Sequence, residues 1–202
     1  MPYFFDKAPR QNVRELKMKM RETFKAKRKA LAPETKAMWD EKISQRLASL
    51  VSVRYADEIL SFSPIAGEVN ISGFNDYAMK SGKDFYLPRC RENGEMDFRL
   101  VKNAEELENG SFSIKEPSAD APIWKNEDGK RAVCIIPAMS YDKKGFRLGY
   151  GKGYYDRHLS SKNTLKIGVC YTSFISDSIP RGRFDLSVDI IVTEKGIITI
   201  EK

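Results

Sequence analysis

The sequence predicts an α/β fold, a single domain layered α/β/α with a mainly parallel central sheet and a basic N-terminal helix. Three observations predict it. Short apolar runs of strand length alternate with amphipathic helical patterns, as in a sheet covered on both faces. The chain has 202 residues and 41% hydrophobic content, enough for one well-covered core and marginal for two. No internal repeat, low-complexity segment or flexible linker divides it. Residues 1–12 are therefore read as an N-terminal extension and 13–202 as one α/β domain.

Residues 10 to about 30 read as a helix, with Val13, Leu16, Met20 and Phe24 at three- and four-residue steps. Pro33 marks the first position of a second helix, whose apolar face is Met38, Ile43, Leu47 and Leu50. "DEILSFSP" is a strand ending at Pro64, "EVNISGFNDYAMKSGK" a helix closed by Gly82, and "DFYLPRC" the next strand. "FRLV" reads as a further strand, "NAEELENG" as a short helix or turn, and the stretch from "SFSIKEP" to "DGKR" as irregular surface. "AVCIIPAMSYD" is a strongly apolar strand, and a helix is expected to begin near Tyr154. "KIGVCYT", "DIIVTEKG" and "IITI" complete a strand-rich C-terminal half.

Net charge is +7, and its placement is uneven. Between Arg10 and Lys29 nine basic residues face only Glu15 and Glu22, so the excess belongs to one helix and the remainder is balanced. A nucleic-acid arm is one reading of that helix, but it leaves the features below idle. No apolar run spans a bilayer and no secretory signal pattern opens the chain, so a cytoplasmic protein without membrane partner is expected. Cys90, Cys134 and Cys170 are widely spaced and read as reduced thiols. With one histidine, His-based zinc sites and Ser-His or Cys-His catalysis are disfavoured.

The segment "RLGYGKGYYDR", Arg147–Arg157, is unlike ordinary scaffold. Glycines let backbone N–H groups approach an anion closely, and a following helix N-terminus adds partial positive charge. Neither familiar phosphate pattern fits. A Walker A loop would need glycine at Phe146 and Ser or Thr at Gly153, and Gly149, Gly151, Gly153 are spaced G-x-G-x-G, not G-x-G-x-x-G. A connector without ligand is the plain alternative, yet Arg147, Lys152 and Asp156 in one loop serve no packing purpose. Asp156 has two readings: a Mg²⁺ ligand, or a first-turn aspartate facing the helix dipole.

"PAMSYDKKGFRLGYGKGYYDR" closely resembles the signature of the 5-formyltetrahydrofolate cyclo-ligases. The match runs through Pro137, Tyr141, Asp142, Gly145, Arg147, Leu148, Gly149, Gly151, Gly153, Tyr154, Tyr155 and Asp156. Further landmarks follow in the family's order: "KMKMRETFKAKRKALAPE", "SFSPIAGEVN", "YLPRC", "SIKEP" and "FDLSVDIIVTEKG". Residues 13–202 thus resemble a single cyclo-ligase-like domain, and residues 1–12 fall outside the pattern.

The resemblance implies ATP- and Mg²⁺-dependent cyclisation of 5-formyltetrahydrofolate to 5,10-methenyltetrahydrofolate, with release of ADP and phosphate. It implies phosphorylation of the formyl oxygen and attack by the bridge nitrogen. It places Lys17, Arg21, Arg147, Gly149, Gly151, Lys152, Gly153 and Tyr155 at the nucleotide, with Lys152 and Arg147 catalytic. It places Glu68 and Arg89 at the folate, and Asp156 with Asp189 at the metal, Asp185 being the alternative to Asp189. The flat faces of Tyr154 and Phe112 suit a pterin ring, simple surface packing being the equal alternative for Phe112. ATP and the folate would be the partners of a monomer that binds no nucleic acid. Another phosphate-handling α/β enzyme, such as a sugar-phosphate isomerase or kinase, is the competing reading.

Overall fold

The computed structural model describes residues 12–91, 94–110 and 114–201. Phe112 and residues 1–11 of the extension lie outside the described residues. Asn12 caps α1 (Val13–Lys29), its Oδ1 accepting from the Arg14 N–H at 3.0 Å. Pro33 opens α2 (Pro33–Ser49), where its missing N–H is no loss. The single turn α3 (Val51–Arg54) leads into the fully buried β1 (Glu58–Leu60). Then come α4 (Ser72–Lys80), β2 (Asp84–Cys90), β3 (Met96–Leu100), and a ribbon of β4 (Glu108–Asn109) with β5 (Lys115–Glu116). The rest comprises β6 (Ala132–Pro137), β7 (Ser140–Asp142), β8 (Arg147–Leu148), α5 (Tyr154–Leu159), β9 (Leu165–Val169), β10 (Ile175–Ser176), β11 (Ile190–Val192) and β12 (Ile197–Thr199).

The main sheet has the order β12-β11-β9-β6-β1-β2-β3. Its five inner strands are parallel, and β12 and β3 close the two edges antiparallel. The chain moves from β1 to β2 in one direction and from β6 through β9 to β11 in the other. Strand order therefore reverses between β1 and β6, which opens a crevice at their carboxyl ends. Right-handed crossovers running in opposite directions put α4 and α5 on opposite faces. No helix among the described residues is long and apolar enough to cross a membrane.

Several local expectations change. "AVCIIPAMSYD" is two strands, because Pro137 ends its ladder without an N–H to donate and the chain turns at Ala138 and Met139. β7 then joins a separate sheet of order β10-β7-β8. The irregular surface stretch contains β5 and a bridge between Ile123 and Arg99. Met38 is half exposed, and Asp40 and Ser44 share the inner face of α2 with Ile43 and Leu47. On α1 only Phe24 is buried, while Val13 is exposed. That helix packs on loops whose backbone carbonyls welcome cations, so its inner face is basic.

Candidate active site at the sheet reversal

The glycine segment leaves β8 at the carboxyl-end crevice, and its spacing is a backbone demand. Gly151 and Gly153 have φ of +100° and +68°, left-handed values that strain side-chain-bearing residues. Asp142 braces the turn beneath: Oδ1 accepts from the N–H groups of Lys144 (2.9 Å) and Phe146 (3.0 Å), Oδ2 from that of Ile179 (3.0 Å). At six residues α5 is under two turns long, so the positive field here comes from side chains.

α1 lies along this segment and supplies those side chains. Lys17 pairs with Asp185, and Arg21 Nε donates to the Gly149 carbonyl at 2.8 Å. Arg28 donates to the Ala138 carbonyl (2.6 Å) and to the Tyr150 hydroxyl (2.8 Å). Glu68, on the loop after β1, is buried and accepts from the Ile65 N–H at 3.1 Å. Burial raises its pKa, while that hydrogen bond, Arg28 and Tyr150 oppose the rise. Arg28 and Tyr150 escaped the sequence reading, although Arg28 lies two turns past Arg21 on the same helix face.

Arg147 and Asp156 form an ion pair at 2.6 Å, with side chains only 10% and 16% exposed. The other Asp156 oxygen accepts from the Leu186 N–H at 3.2 Å. Arg147 also stands over the Tyr155 ring, 5.3 Å from its centre. Burial pushes the Tyr155 phenol well above its ordinary pKa. Lys152 is exposed and has no partner among the described residues.

The remaining expected site residues lie on the flanks. Arg89, at the carboxyl end of β2, donates to the Pro117 carbonyl and reaches Glu108 at 3.4 Å. Tyr154 adjoins the Cys90 thiol and carries Arg157 on its ring. Asp189 accepts from the Lys166 N–H at 2.7 Å, at the amino end of β11. Asp185 is bound to Lys17 and to the Gly182 N–H.

Among the described residues no group of three or more His, Cys, Asp or Glu side chains is arranged to hold a metal. The two carboxylates tied closest to the glycine segment and α1, Asp156 and Asp185, are engaged by Arg147 and by Lys17.

His158 is half-buried against the rings of Phe98 (5.2 Å) and Trp124 (6.0 Å). Burial lowers its pKa below 6.5. The neutral ring is therefore favoured in the fold, and stability falls as pH drops through the unfolded value near 6.5. We expect His158→Phe to flatten the fall in Tm between pH 7 and pH 5, read by thermal melts of both chains. An unchanged slope would contradict this assignment.

Residues 13–194 match the family model described as the 5-formyltetrahydrofolate cyclo-ligase family. A Schizosaccharomyces pombe protein named probable 5-formyltetrahydrofolate cyclo-ligase is 28% identical over 145 residues, covering 65% of this chain and 71% of its own. The 5-formyltetrahydrofolate cyclo-ligase of Escherichia coli K12 is 26% identical over 176 residues, 83% of this chain and 94% of its own. Among solved structures, Aquifex aeolicus 5,10-methenyltetrahydrofolate synthetase is 32% identical with a TM-score of 0.81, over 93% of this chain and 94% of that one. The Mycoplasma pneumoniae synthetase is 25% identical with a TM-score of 0.69, over 88% and 98%.

Proposed function

The chain belongs to the 5-formyltetrahydrofolate cyclo-ligase family, and from that premise we propose that its cyclo-ligase activity uses ATP and Mg²⁺ at the glycine segment. The product is 5,10-methenyltetrahydrofolate, with ADP and phosphate released. A formyl amide is a poor electrophile, and its oxygen is a bad leaving group. Moving the γ-phosphoryl onto that oxygen cures both faults. The bridge nitrogen then attacks the activated carbon: a C–N bond forms, the C–O bond breaks, phosphate departs and the nitrogen loses its proton. Holding the two groups together in one molecule is worth about 7–11 kcal/mol in the best cases.

Phosphoryl transfer asks the protein for positioning and for neutralised charge. Lys17, Arg21, Arg147 and Lys152 with the N–H groups of Gly149, Gly151 and Gly153 would cradle the triphosphate. Tyr155 holds the Arg147 guanidinium from below. Lys152 and Arg147 would stabilise charge on the phosphoryl in flight. Mg²⁺ would be held by Asp156 with Asp189 or Asp185, and would neutralise phosphate charge there. Glu68, a buried carboxyl beneath a cation, suits the N–H-rich edge of a pterin, with Tyr154, Arg89 and Phe112 toward the rest of the folate.

The observation that carries this reading is the Arg21–Gly149 contact at 2.8 Å, which ties the basic helix to the glycine segment beside the crevice. Enzyme, ATP, Mg²⁺ and 5-formyltetrahydrofolate together are expected to give the methenyl chromophore, and omitting any one to abolish it. Asp156→Asn is expected to reduce the rate about 10²-fold, on the scale of losing one charge-stabilising group. Product formed without ATP would sink the proposal, and an undiminished rate in Asp156→Asn would remove the metal assignment.

A further inference from the structure

We propose that Phe184 is the platform on which the nucleobase of the bound nucleotide stacks. This rests on the nucleotide reading above. Phe184 is 75% exposed, more than any other large hydrophobic side chain among the described residues. The loop that carries it is nevertheless tied on both sides. Asp185 pairs with Lys17 and accepts from the Gly182 N–H at 2.6 Å. Leu186 donates to Asp156 at 3.2 Å. The bare ring therefore sits on an anchored turn, between two groups assigned to the polyphosphate and its metal.

Order along α1 gives the direction. At about 1.5 Å of rise per residue, Arg21 lies about 6 Å beyond Lys17 and Arg28 about 10 Å beyond Arg21. The Arg28 end touches Tyr150 and faces Glu68, where the pterin is placed. Arg21 meets the glycine segment, where the phosphates lie. A nucleotide whose terminal phosphate points toward the pterin leaves its base at the Lys17 end, beside Asp185 and Phe184. There the Arg183 guanidinium, 5.6 Å from the ring centre, flanks the same platform. A phenyl face stacks on any flat base and does not read its edge, so it gives affinity without choosing between purines.

Calorimetric titration of the whole chain with ATP, GTP and inorganic tripolyphosphate, each with Mg²⁺, tests this. Phe184→Ala is expected to weaken ATP and GTP about tenfold and leave tripolyphosphate unchanged. Phe184→Trp is expected to hold ATP at least as tightly as the native chain. Equal ATP affinity in native and Phe184→Ala chains overturns the proposal. So does a parallel loss of ATP and tripolyphosphate, which assigns the loop only to holding Lys17. If the native chain binds no ATP, the nucleotide reading itself falls and takes this one with it, a result visible before any substitution is made.

Discussion

Lys152→Ala is expected to slow methenyl formation about 10²- to 10³-fold, the range for removing one group aimed at developing charge, while leaving Tm unchanged. The other cations of the site already hold protein acceptors. Lys17 has Asp185, Arg21 the Gly149 carbonyl, Arg28 Ala138 and Tyr150, and Arg147 has Asp156. Lys152 stands exposed on the glycine segment with no such partner among the described residues. Its charge is available to phosphate without breaking anything in the protein. For the same reason its removal touches no packing, and an exposed substitution of this kind stays within about 0.5 kcal/mol in stability. Lys152→Arg keeps the charge but replaces a compact ammonium with a planar fork, so an intermediate rate is expected. Arg147→Ala is a poorer probe, because it strands a largely buried Asp156 and costs stability along with rate. A Lys152→Ala chain with the native rate would remove Lys152 from the catalytic assignment.

The fold was legible because strand-length apolar runs such as "AVCIIP" and "KIGVC" are what a sheet buried on both faces requires. The break inside "AVCIIPAMSYD" was harder to read, since both sides of it are buried: Ile135 and Tyr141 are each fully covered. Periodicity reports burial, and burial does not change when a strand moves from one sheet to another. On α1 the apolar spacing misled for a related reason. Val13 and Phe24 both fit the helical period, but the helix rests on loops, so long cations cover what an apolar stripe covers elsewhere. The glycine segment stood out by its own composition and spacing, and Glu68 was singled out through the family resemblance. The Arg147–Asp156 pair could not be, because it joins residues nine apart across a strand, a turn and a helix start. Nothing in their spacing says that each is the other's partner.

A second large effect is expected at Gly168, inside the main sheet. Gly168 lies inside β9, paired with Ile136 of β6 on one side and Ile191 of β11 on the other. The space where a Cβ would stand is taken by the Tyr141 ring, whose Cζ, Cε2 and Cε1 would lie 2.5, 2.8 and 2.9 Å from it. That ring has little room to retreat. It is fully buried, and its hydroxyl donates to the Ile136 carbonyl at 2.8 Å. Gly168→Ala is therefore expected to overpack the junction between the two sheets by about 3 kcal/mol, the upper end of ordinary overpacking. In a chain of this size each kcal/mol lowers Tm by about 2–4 °C, so a thermal melt should show a fall of about 6–12 °C. Activity should fall too, because Tyr141 adjoins Asp142, whose carboxylate braces the turn leading to the glycine segment. Tyr141→Leu alone removes the ring and its hydrogen bond, and is destabilising by a separate route. If the ring is the obstacle, the double variant is less destabilised than the two single changes added together, since residues in contact do not act independently. Strict additivity would show that the methyl group meets something other than Tyr141.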